Sequence, residues 1–137
     1  MRISLCFFLL VTLSYTEEYQ AIISHYCNCE RCCSWSYNKA GKPVFNLRPN
    51  VVKKIGQTAS GAITREGLTL AMPKSFEFGT HVYIGKKLLG VCEDRGGAII
   101  VKGDKIKIDV YVDNHKRALQ LGIYETKVTV TYPFEEK

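Results

Sequence analysis

Apolar and polar side chains alternate strictly through KIKIDVYV at residues 105–112. Ile106, Ile108, Val110 and Val112 fall on one face of the implied strand, and Lys105, Lys107, Asp109 and Tyr111 on the other. By pattern alone Asp109 is therefore a solvated acid on the wet face. Shorter segments of similar character recur along the second half of the chain: GLTLAM at 67–72, THVYIG at 80–85, LLGVCED at 88–94, GAIIVK at 97–102 and TKVTVTY at 126–132. Each is rich in Val, Ile, Thr or Tyr and is bounded by Gly, Pro or charge, which predicts a small mainly β domain, a sandwich or barrel. A first strand is predicted from about 18 to 26. Residues 34–57 carry Gly41, Pro43, Pro49 and Gly56 and read as loop around one short strand at 44–46. The single predicted helix is DNHKRALQLG at 113–122, capped by Asp113 or Asn114 and closed by Gly122.

The length of 137 residues fits one domain, and 46% hydrophobic with 23% charged residues fits a folded chain rather than a disordered one. The formal charge of +6 suits a polyanionic partner. The lysines are scattered, however, and no aromatic residues interleave with them as a base-stacking platform would require, so nucleic acid is not the expected partner. Before the first strand, Arg2 precedes an apolar stretch from Ile3 to Leu13 that is too short to span a bilayer, which takes about 20 helical residues. It reads as a secretory leader over 1–14, or an N-terminal anchor if uncleaved, and implies a secreted or cell-envelope protein. The expected organisation is then a cysteine-containing segment at 15–57 packing on a core domain at 58–137, in a monomer.

Export bears on the cluster CNCERCC. In an oxidising compartment Cys27, Cys29, Cys32 and Cys33 are expected to form disulfides, with connectivity left open. Zinc is the other use of this spacing and would draw a distant ligand from His25 or Cys92; the expectation is no metal and no cofactor. Cys92, inside an apolar strand, reads as a core thiol. His25, His81 and His115 stand far apart, and no G-x-S-x-G elbow occurs, so a serine or cysteine hydrolase has little support. Asp94 lies just before Gly96 and Gly97, which let backbone approach a ligand closely; taken alone, DRGG is equally an ordinary turn.

Together, YCNCERCCSW, GQTASG, REGLTLAMPKSFEFGTHVYI, CEDRGGAI, KIDVYVDNHKRALQLG and TKVTVTY resemble the bacterial 3D domain of stationary-phase survival proteins and membrane-bound lytic transglycosylase A. The resemblance runs from about Tyr26 to Tyr132. It implies a six-stranded double-psi β-barrel with one short helix, acting on peptidoglycan glycan strands between N-acetylmuramic acid and N-acetylglucosamine. It implies Asp109 as the catalytic acid and Asp94 as a second groove carboxylate. Thr58, Ser60, Gly96, Gly97 and Lys107 are then expected around the substrate. The chain departs from the family pattern twice: Met72 stands in place of the family's first aspartate, and the stretch between the glycine pair and Asp109 is longer, near 102–104.

In such a reaction one carboxyl first protonates the glycosidic oxygen, then takes the proton of the muramic acid 6-hydroxyl, and a 1,6-anhydro sugar results. No water is activated, so the second carboxylate of an ordinary glycosidase is not needed. Two other readings are a wall-binding barrel without turnover and a glycoside hydrolase of another polysaccharide.

Overall fold

The computed structural model describes residues 15–96 and 101–133. The predicted leader at 1–14, Gly97 and most of the predicted 97–102 strand lie outside the described residues. Ten strands and two short helices follow one another in the order β1 Thr16–Tyr26, α1 Glu30–Cys33, β2 Trp35–Tyr37, β3 Pro43–Phe45, β4 Arg48–Val52, β5 Thr69–Ala71, β6 His81–Ile84, β7 Lys87–Asp94, β8 Val101–Lys102, β9 Lys105–Tyr111, α2 His115–Leu121 and β10 Tyr124–Thr131. The protein is thus mainly β, as the alternation predicts.

Seven strands form one sheet in the order β1-β10-β6-β7-β5-β9-β8, and a further parallel pairing of β1 with β9 closes six of them into a ring. Each of those six strands thereby has a paired neighbour on both sides. The inward positions of the alternation fill the ring. Ala21 and Ile23 of β1, Leu70 of β5, Val82 of β6, Cys92 of β7, Ile106 and Ile108 of β9, and Val128 and Val130 of β10 are all buried in one cluster with Met72 and Phe76. Each large side chain buried there is worth about 1.5–3 kcal/mol relative to exposure.

The chain divides within 15–57 rather than after it. β1 is a full member of the main sheet, paired along eight residues with β10 and along seven with β9. Only β2, β3 and β4 form a separate three-stranded sheet. Two of those strands were expected as loop. β4 is exposed at every position and contains Pro49, so it shows no period-two signal, and its pairing with β3 shifts register between Val44 and Phe45.

Helix α2 starts on Asn114, whose side chain accepts from Arg117 N, so Asn114 rather than Asp113 is the cap. Gly122 closes it at φ 65°, though its ψ of −152° lies outside the left-handed helical region expected for it. Near 102–104 the chain makes a tight hairpin: Lys102 faces Lys105 across Gly103 and Asp104, with Gly103 at φ 64°. Among the described residues no helix is long and apolar enough to cross a membrane.

Candidate functional site

Strands β1, β9 and β5 have two occupied faces. One lines the main core; the other carries Tyr26, Tyr111 and Ala71, a second cluster against which Cys32 and Cys33 pack. Asp109 belongs to this second face. The face assignment holds but the solvated-acid reading is corrected: Asp109, on the polar face of β9, lines a walled cavity and is half-buried there rather than a free surface acid.

The register sets four residues in line across the sheet. Ser24 of β1 pairs with Asp109 of β9, Asp109 with Ala71 of β5, and Ala71 with Asp94 of β7. The two aspartates therefore stand two strand spacings apart, about 10 Å along the sheet, with Ala71 of the intervening strand between them. The Ser24 hydroxyl donates to Asp109 Oδ1. A small residue at 71 leaves the space between the acids open.

Asp94 is far more engaged. The Tyr26 hydroxyl donates to its Oδ2 at 2.8 Å, and the backbone N–H groups of Ala59 and Arg95 donate to its Oδ1, each at 2.9 Å. Burial, and then the Asp94 charge, push the Tyr26 phenol well above its ordinary value, so it stays protonated and keeps donating. The carboxylate thereby ties the 58–60 turn to β1 and β7.

The cavity around this row measures about 540 Å³. Besides Tyr26, Ala71, Asp94 and Asp109 it is walled by Thr58, Ala59 and Gly96 and, from the small sheet and the segment after it, by Phe45, Arg48, Lys53 and Lys54. Lys53 is buried, its ammonium 4.9 Å above the Phe45 ring, and the Arg48 guanidinium lies 4.7 Å from the same ring. The basic character of this wall was not anticipated. It could not be read from the sequence because Arg48, Lys53 and Lys54 sit in what looked like loop.

Of the sequence-predicted residues, Asp109, Asp94, Thr58 and Gly96 line the one cavity. Ser60 is exposed and does not line the cavity, its hydroxyl lying 3.0 Å from Thr58 Oγ1, and Lys107 does not line it either although it shares a strand face with Asp109. Gly97 lies outside the described residues. Met72 takes no place in the cavity. It is fully buried in the main core, while its neighbour Ala71 faces the acids.

The cysteines are arranged otherwise than the disulfide reading expects. All five described cysteines are free thiols. Cys27, Cys29 and Cys32 gather with His115 so that their four donor atoms lie within 4.8 Å of one another, a group that could hold a metal ion. His25 and Cys92, the distant ligands considered from sequence, lie elsewhere: His25 Nδ1 is 3.0 Å from Gly122 O, and Cys92 receives the Arg95 guanidinium at 2.8 Å. Cys33 turns away and donates to Cys27 O at 3.2 Å. It also borders the cavity, where burial pushes its thiol up to about 11.

Comparison with known proteins finds no matching family model and no matching curated protein.

Proposed function

We propose that this chain is an exported peptidoglycan lytic transglycosylase, its six-stranded ring a double-psi β-barrel and Asp109 its single acid and base. The observation that carries this reading is the row Ser24, Asp109, Ala71, Asp94 opening into one cavity. Among the described residues, one carboxyl in that row has a single hydroxyl partner and lines the cavity, while the other accepts three hydrogen bonds. Such an inequality suits a reaction in which one carboxyl moves a proton while the other stays fixed in the groove wall.

In the first step protonated Asp109 gives its proton to the glycosidic oxygen as the bond from the muramic acid anomeric carbon breaks. The carboxylate left behind then takes the proton of the 6-hydroxyl while that oxygen bonds to the anomeric carbon. Asp109 ends protonated as it began, no water is consumed, and no cofactor is required. Asp94 shapes the groove and stabilises positive charge developing at the sugar ring. Arg48, Lys53 and Lys54 supply a cationic wall for the carboxylates of the peptide-bearing glycan. A glycan of this kind is the polyanionic partner that the net charge of +6 suits.

The test is incubation of the purified protein with murein sacculi and mass spectrometry of the products. Anhydro-ended muropeptides are expected from the wild type and none from Asp109→Asn, whose circular dichroism should be unchanged. Reducing ends in place of anhydro ends overturn the transglycosylase reading in favour of a hydrolase. Sacculus binding without turnover would leave a wall-binding module.

A further inference from the structure

Cys27, Cys29 and Cys32 follow β1, whereas His115 opens α2, more than eighty residues later in the chain. The parallel pairing of β1 with β9 brings the two places together. It runs to Tyr26 beside Tyr111, and Val112 N donates to Tyr26 O at 2.9 Å, so both strands leave the sheet at the same end. The three sulfurs then stand 3.8, 3.3 and 3.5 Å from His115 Nδ1, and the Cys27 and Cys32 sulfurs 3.8 Å from each other.

Those spacings discriminate between the two uses of a thiol cluster. A disulfide needs its sulfurs about 2.05 Å apart. Tetrahedral zinc, bonded at about 2.3 Å to sulfur and about 2.0 Å to nitrogen, sets sulfurs about 3.8 Å apart and sulfur and nitrogen about 3.5 Å apart. The observed separations follow the second pattern. The local backbone agrees with it: Cys29 caps α1 and accepts a hydrogen bond from Cys32 N at 3.4 Å, a donor aimed at sulfur that favours the thiolate a metal would need.

We propose that Cys27, Cys29, Cys32 and His115 form a four-coordinate structural zinc site. All four positions are taken by the protein, so the ion has no open position for substrate and takes no part in bond cleavage. It fastens the exit of β1 to the start of α2 and holds α1 against the cavity. Ser24 and Tyr26 lie just before the first ligand on β1, and Asp109 lies six residues before the last one. The ion therefore pins the two strands that carry the acid and its partners. This site does not rest on the reading of the cavity as a transglycosylase.

The test is to purify the full chain from zinc-supplemented medium under reducing conditions and measure metal content and native mass. About one zinc per chain is expected, kept in Cys33→Ser and reduced at least tenfold in Cys29→Ser and in His115→Ala. Cobalt exchanged into the wild type should give the intense thiolate charge-transfer and visible bands of a tetrahedral sulfur site. This readout stands even if a variant fails to fold. Zinc-free wild type with bridged cysteines on thiol mapping overturns the proposal, as does undiminished zinc in Cys29→Ser and His115→Ala.

Discussion

Asp94 and Asp109 differ in what already holds them, and substitution should separate their roles. Asp94→Asn presents an amide nitrogen to at least one of three donors, Tyr26, Ala59 or Arg95. Hydrogen bonds to a charged group are worth about 1.5–3 kcal/mol each. The variant is therefore expected to lose about 2 kcal/mol of stability along with activity, measured by denaturant unfolding beside the sacculus assay. Asp109→Asn should lose activity with stability nearly unchanged. Ser24→Ala frees the Asp109 carboxyl to rotate, and a misplaced catalytic group can cost about 100-fold; a fall in kcat at constant KM is the expected result. At this scale the sequence showed which face of β9 Asp109 occupies, because alternation assigns faces. It could not show what covers that face, since the wall comes from distant segments with no period of their own. His115 was hidden for the same reason: nothing in the helical pattern of 113–122 connects it to the cysteines until β1 and β9 pair.

Among the elements, β7 runs close against β5 and the residue before it at Gly90. An added Cβ at Gly90 would sit 2.4 Å from the Leu68 carbonyl oxygen and 2.8 Å from Leu70 Cγ, where Val91 N already donates to Leu68 O at 2.7 Å. Neither backbone nor buried leucine can yield freely, so Gly90→Ala is expected to destabilise by about 1–3 kcal/mol, read as a lower urea midpoint at unchanged slope. Because β7 carries Asp94 beyond Gly90, activity should fall with it. LLGVCED was legible as a strand from its apolar residues, yet the need for glycine inside it was not: it arises from the neighbouring strand. The missed β2 and β4 show the converse. With Trp35 the only buried residue of β2 and none in β4, these strands are held by backbone pairing more than by a buried face, and hydrophobic periodicity is blind to that.

For the molecule as a whole, ring closure depends on β1, the first described strand, pairing with both β9 and β10. Individual strands could be read from their composition, but this order could not, since parallel and long-range pairings leave no local mark. At the β1–β10 end Glu17 accepts hydrogen bonds from the hydroxyls of Tyr15, Tyr19 and Tyr132. These bonds, led by that from Tyr15, hold the Glu17 carboxyl below its ordinary value. The sign of the linkage follows: a group depressed in the folded state stabilises fully above its unfolded pKa and loses that contribution as pH falls through its folded one. Glu17→Gln should therefore melt below the wild type at pH 7, with the gap closing progressively below pH 4.5, the ordinary value for this carboxyl. Thermal scans of both proteins across that range check it. A gap that persists unchanged in acid would mean that shape, not charge, joins the two strands.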